Sequence, residues 1–199
     1  MDNVLTAMAK GETYYKGVHI PDSSDWDLGA TASNKFEGTE FDIQYETAKT
    51  AAGVQASPRG FSRRIRIVRN AGATTLQAGD TVIYTATYQG RRVQKNTSAN
   101  AKMAGVVIDL LTSNGCVQND LCAIVVSGWN YCTKTAGDGG ITEGDRVMAT
   151  ATGTVASAGA PGSDQNSFDY ACNVVGRCIT TVATAITTVL CDVCTGRLP

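Results

Sequence analysis

A chain of 199 residues, 43% hydrophobic and 18% charged, has the length for one domain with a real core, or for one domain plus an extended arm. Its net charge of −1 argues against a dedicated nucleic-acid binder, and no apolar run reaches the roughly 18 residues of a membrane-spanning helix. Met1–Thr6 lacks the basic and apolar regions of a secretory signal, so the chain is expected to be made and kept in a cytoplasm until assembly.

Residues 1–61 hold seven of the 13 aromatic residues and carry nine acids against five bases. The aromatics sit among polar, turn-forming pieces such as Pro21–Asp25 and Leu28–Asn34, with no sustained period. That pattern predicts an extended N-terminal arm. Tyr14, Tyr15, Trp26, Phe36 and Phe41 are its candidate anchors, each able to fill a pocket on a neighbour. The alternative folds the segment back onto the domain as loops and one or two strands.

Residues 62–199 read as the domain. Arg64-Ile65-Arg66-Ile67 alternates, which predicts a strand with isoleucines on one face and arginines on the other. Further strands are predicted at Val82–Tyr88, Ala104–Leu110, Cys122–Val126, Val147–Thr152, Val174–Ile179 and Thr188–Cys191, separated by Gly, Asn and Asp turns. Residues 62–102 carry eight bases against Asp80 alone, a basic zone between two acidic ends. Arg63, Arg64, Arg66, Arg91 and Arg92 are therefore candidate partner-binding residues for a negatively charged surface.

Gly79-Asp80-Thr81-Val82 recurs as Gly144-Asp145-Arg146-Val147. In both, Gly suits a φ > 0 turn position and Asp suits a cap on nearby backbone, so a turn is preferred to a calcium or catalytic role. Met103–Ile108 is matched by Val174–Ile179, and Thr188–Cys191 by Ile124–Ser127. Two similar β-units predict a mainly β fold: a compact barrel or sandwich with pseudo-repeated units, closed so that few strand edges stay free.

Seven cysteines all lie at or after Cys116, and an odd count cannot pair fully. Cys191 and Cys194 make a CxxC, yet a zinc site needs a second pair or histidines, and the one histidine is the distant His19. Small buried hydrophobes are the expected role. The cluster Asp22, Asp25 and Asp27 lacks the calcium-loop pattern. Neither a nucleophile elbow nor a phosphate-binding glycine loop is found, so no catalytic residue, metal or cofactor is expected.

In order, Met103–Val107, Ile124–Trp129, Ile141–Val147, Val174–Cys178 and Thr188–Cys191 resemble the strand signature of tailed-phage capsid decoration (cement) proteins. These carry an A-G-V-A-like strand, an apolar strand ending in Gly, an I-T-x-G-D-x-V turn and strand, a V-G-x-A-like strand and a terminal apolar strand. The resemblance covers about the C-terminal 125 residues. It implies a non-enzymatic virion protein with a small β-barrel or β-tulip-like domain. Such a protein sits on the capsid exterior, cements neighbouring subunits against internal DNA pressure and forms a homo-oligomer, a trimer being favoured. Its partner would be the major capsid protein, with no small-molecule substrate, membrane or nucleic acid. The other reading is a head-fibre, tail or receptor-binding module built on the same β-unit. The first 61 residues and the cysteines depart from the family pattern.

Overall fold

The computed structural model describes residues 13–15, 18–20, 37–44, 62–87, 90–98, 102–109, 115–158 and 174–195. Two three-residue strands, β1 (Thr13–Tyr15) and β2 (Val18–Ile20), pair antiparallel as a small sheet of their own. The other ten strands belong to one sheet, and among the described residues there is no helix. They are β3 (Glu40–Gln44), β4 (Ser62–Asn70), β5 (Thr81–Tyr84), β6 (Arg92–Lys95), β7 (Met103–Val107), β8 (Leu121–Thr133), β9 (Arg146–Ala149), β10 (Val155–Ser157), β11 (Val174–Cys178) and β12 (Thr188–Cys194).

The sheet closes on itself. β4 pairs with the first half of β8 and also runs parallel to β6, so the ring β8–β7–β5–β6–β4 returns to its start as a five-stranded barrel. The second half repeats that order. The C-terminal half of β8 pairs with β12, then follow β11, β9 and β10, and a parallel bridge from Val155 to Lys134 brings β10 back to the end of β8. The matching contact in the first ring is Asn70 opposite Val93. The predicted pair of β-units is thus two barrels in tandem that share one long strand. Ser127 is the crossover, pairing with Arg64 on one side and Cys194 on the other. A register shift between Arg64 and Ile65, and the φ of +101° at Gly128, bend the strand there.

The Gly-Asp repeat forms the same turn twice. Gly79 and Gly144 take φ of +82° and +87°, a conformation costly for any residue with a Cβ. Asp80 accepts the N–H of Gln77 at 2.8 Å, and Asp145 that of Thr142 at 2.9 Å. A further turn of that shape lies at Val117–Asp120, where Asn119 has φ 73°, and the turn at Ala183–Ile186 closes the same N–H to carbonyl bond without a positive φ. Antiparallel bridges join the turns in pairs, Leu76 with Cys116 and Ile141 with Val182.

Between the barrels the equivalence extends to irregularities. The β5–β7 ladder shifts register at Ala104 and the β9–β11 ladder at Val175. The glycine after each shift lies against the next strand. A Cβ on Gly105 would stand 2.7 Å from the Val125 carbonyl oxygen, and one on Gly176 would overlap the Asp192 carbonyl. This correspondence corrects the expected alignment of the last strand. Ile108 donates to the Ala123 carbonyl at 3.1 Å as Ile179 does to that of Leu190 at 2.9 Å, so Thr188–Cys191 matches Leu121–Ile124 and not Ile124–Ser127. Strand bounds also differ: β5 ends at Tyr84, β7 at Val107 and β9 at Ala149, while β8 runs on to Thr133 and β12 to Cys194.

Each barrel has an apolar interior. Val68, Leu76, Val82, Val93, Ala104, Val107, Cys116, Cys122, Ile124 and Val126 fill the first. The matching positions of the second, among them Ile141, Val147, Val155, Val175, Val189 and Val193, form one continuous cluster with Ile65, Ile67, Met103, Val106 and Val125 of the first unit. Full burial of a Val or Ile contributes about 1.5–3 kcal/mol. The shared cluster therefore ties the barrels into one body.

Candidate partner-binding mouth of the first barrel

Side chains along a strand alternate between faces, so β4 residues of one parity point into the first barrel. Val68 lies in its core, whereas Arg66 and Arg64 arrive at its open end. There they border a cleft of about 320 Å³, together with Glu40, Tyr84, Lys102, Met103, Ala104, Val126, Ser127, Cys194 and Thr195. The Arg66 guanidinium stacks over the Tyr84 ring, 5.6 Å from its centroid. Thr195 closes the floor, its hydroxyl donating to the carbonyls of Ala104 and Val126 at 3.4 Å.

Acids from the N-terminal segment face this basic rim. In the β3–β4 ladder Glu40 lies opposite Arg66 and Asp42 opposite Arg64. Arg66 Nε donates to Glu40 at 2.7 Å and Arg64 Nε to Asp42 at 3.0 Å. The Arg64 pKa is raised, first by its hydrogen bond to Asp42 and then by the charge of that carboxylate. Both pairs are exposed, so their net worth is small. They leave a cleft with charges of both signs and an aromatic wall, suited to charged or polar segments of another protein.

Other arginines of the basic zone are turned inward. Arg69 is fully buried, bonded to the buried Glu37 and donating to the Asn119 carbonyl at 2.7 Å; Arg92 approaches the same carboxylate at 3.7 Å. Arg63 forms a two-point pair with Asp109 (Nη2 to Oδ2, 3.0 Å) and donates to Asn130 Oδ1 at 3.2 Å. Lys95 pairs with Asp80 at 3.0 Å. Much of the basic zone is thus balanced within the chain, partly by acids of residues 37–44.

The sequence candidates therefore separate. Arg64 and Arg66 meet at the mouth, and Arg91 is exposed beside Gly38. Arg63 and Arg92 are buried, holding the seam between barrels and the Glu37 cluster. Tyr14 and Tyr15 lie on β1 and Phe41 on β3, placed by their backbone, while Trp26 and Phe36 fall outside the described residues. Residues 37–44, within the segment read as an arm, pair with β4 of the same chain. Lys102 and Tyr84 join the mouth without having been singled out as binding residues. Their signal lies in position, just before β7 and at the end of β5, and appears only once the barrel closes.

The CxxC cysteines point to opposite faces of β12, Cys191 buried and Cys194 exposed, so the strand cannot bring both to one ion. Among the described residues no group of three or more His, Cys, Asp or Glu side chains is placed to hold a metal. The pKa of Cys116 is raised chiefly by its hydrogen bond to Cys122, and that of Cys132 chiefly by its bond to Cys191, with burial next in both. Burial leads for Cys178. All three are thereby held as thiols, poor nucleophiles in the folded state.

No family model and no curated protein matches the chain. Among solved structures it is similar to the N-terminal base of the head fibre protein gp8.5 of bacteriophage phi29. The identity is 13% and the TM-score 0.43, with 68% of this chain and 97% of that chain covered.

Proposed function

We propose that this protein is a structural component of a phage virion, one that binds the outer surface of the capsid and cements neighbouring capsid subunits. The observation that carries this reading is the placement of the decoration-protein motifs. The A-G-V strand is β7 and the V-G-x strand β11, equivalent strands of two closed barrels, and the I-T-x-G-D turn opens β9. Closed barrels joined by a shared strand and a continuous core resist deformation, which a cement requires. The reading carries no enzymatic activity, cofactor or metal. Its partner is a major capsid protein, whose charged segments the first barrel's mouth would receive, and self-association as a trimer would multiply weak contacts.

The test uses expanded heads that lack the protein. Addition of the purified chain should give saturable co-sedimentation and raise the temperature at which heads rupture. Arg66→Glu combined with Lys102→Glu should weaken head binding by about tenfold, a change of about 1.4 kcal/mol. No binding would overturn the proposal. Binding without any gain in head stability would replace it with the head-fibre or receptor-binding reading.

A further inference from the structure

The match between barrels exposes a difference in their cores. In the first, Val107 on β7 faces Ile124 on β8; in the second, the same two places hold Cys178 and Cys191, directly opposite on β11 and β12. The neighbouring pair is hydrogen-bonded, Ile179 N–H donating to the Leu190 carbonyl at 2.9 Å, while the Cys178 N–H turns away to Asp145 at 2.9 Å. Bonded and non-bonded pairs alternate in an antiparallel ladder, so Cys178 and Cys191 form a non-hydrogen-bonded pair with Cα atoms about 4.5 Å apart. A disulfide spans Cα separations of about 4.4–6.8 Å. Both residues face the core, at 3% and 0% exposure.

We propose that Cys178 and Cys191 are a cross-strand disulfide site, closed by a small two-electron oxidant of the peroxide class. Cys178 reacts first, slowly and through its minor thiolate fraction, because its sulfur lies beside the exposed Thr180, whose carbonyl it approaches at 3.0 Å, whereas Cys191 is enclosed. Its sulfur attacks one oxygen of hydrogen peroxide, the O–O bond breaks, and a sulfenic acid and one water result. The Cys191 sulfur then attacks the Cys178 sulfur. The S–O bond breaks, and hydroxide leaves with the Cys191 proton as a second water. Two thiols are oxidised by two electrons and one peroxide is reduced.

Cys132 is the competing partner, since it faces the same core and stands two places from Cys191 across the β8–β12 ladder. Register excludes it: Cys132 stands opposite Val189 and Cys191 opposite Asn130, a diagonal relation with Cα atoms about 7–8 Å apart. The chemistry stands apart from the capsid reading. Its setting, a particle that leaves a reducing cytoplasm for an oxidising medium, rests on that reading.

The experiment treats the purified full-length chain with hydrogen peroxide, then denatures it and alkylates free thiols with iodoacetamide. Wild type should lose two hydrogens in intact mass and take up five adducts instead of seven. Cys178→Val and Cys191→Ile, which install the first barrel's residues, should each abolish the cross-link, and Cys132→Val should retain it. Cross-linking that persists in Cys178→Val, disappears in Cys132→Val, or gives way in wild type to oxygen uptake alone would overturn the proposal. Because no capsid is present, a negative result leaves the cement reading to its own test.

Discussion

The two barrels share turns, register shifts and close-packed glycines, yet they end differently. At the mouth of the first stands Arg66, half-buried beside Tyr84 and Lys102. The corresponding place in the second, three residues before the end of β8, is Asn130, fully buried. Its side-chain amide donates to the Val107 carbonyl at 3.0 Å, and its oxygen accepts the Asp109 N–H at 3.1 Å. One barrel keeps an open, charged end, and the other spends its end on the joint between them. On the function proposed above, duplicated architecture divides the labour: the second unit's end joins the barrels, and the first unit's end is the one that would meet a partner.

The largest test of that division is Glu37→Leu. The carboxylate lies between Arg69 and Arg92, and all three are buried. Removing it leaves two guanidiniums in the interior without their shared counter-charge, so a loss of about 3–5 kcal/mol in urea unfolding is expected. A loss under about 1 kcal/mol would mean that residues 37–44 add little to the first barrel.

Next comes the buried polar residue at the end of the matching strand in each unit. In the first barrel Asn70 donates to the carbonyls of Thr74 at 3.0 Å and Cys116 at 2.9 Å. In the second Lys134 does the equivalent work, its ammonium ringed by the carbonyls of Thr135 (3.2 Å), Asp138 (2.6 Å), Thr184 (3.0 Å) and Ile186 (3.5 Å). Lys134→Met should cost about 3 kcal/mol by abandoning those acceptors, and amide exchange should rise first in residues 135–140 and 183–187. Asn70→Leu should cost less, about 2 kcal/mol.

These polar cores mark the limit of what sequence could show. The alternation of Ile65 and Ile67 against Arg64 and Arg66 displayed β4, and the Gly-Asp repeat displayed the β5 and β9 turns, because both are local patterns. The Ala183–Ile186 turn was invisible because it closes the same hydrogen bond with neither Gly nor Asp, and without a positive φ. The shared strand was missed because Ser127-Gly128 reads as a strand end, whereas here a bend carries the chain from one barrel into the next. Arginine count alone also misled about surface: Arg63, Arg69 and Arg92 are buried because acids distant in sequence meet them. The cleft was legible only as its two arginines, since Tyr84, Lys102 and Thr195 join them through long-range closure.

Gly176→Ala and Gly105→Ala compare the barrels at their tightest approach. Each Cβ would run into a neighbouring strand's carbonyl, with the overlap greater at Gly176. A shift of backbone is the one available relief, and a cost of about 2–3 kcal/mol is expected for Gly176→Ala and slightly less for Gly105→Ala. Alanine tolerated freely at one site and not at the other in thermal melts would dissolve the equivalence of β7 and β11.

The smallest effect separates the two aspartates of the repeat. Asp145 is partly exposed and its recorded bond is the turn bond to the Thr142 N–H, so Asp145→Ala should cost about 1 kcal/mol, the ordinary worth of a backbone cap. Asp80 makes the same bond but is 2% exposed and also holds Lys95. Its replacement removes the cap and strips a partly buried ammonium of its partner, so about 2 kcal/mol is expected for Asp80→Ala. In Lys95→Met the difference between the two aspartate variants should shrink, because the extra share at Asp80 then has no cation to lose. If the difference survives in that background, the first turn owes its added strength to burial, and the barrels differ in packing and not in charge.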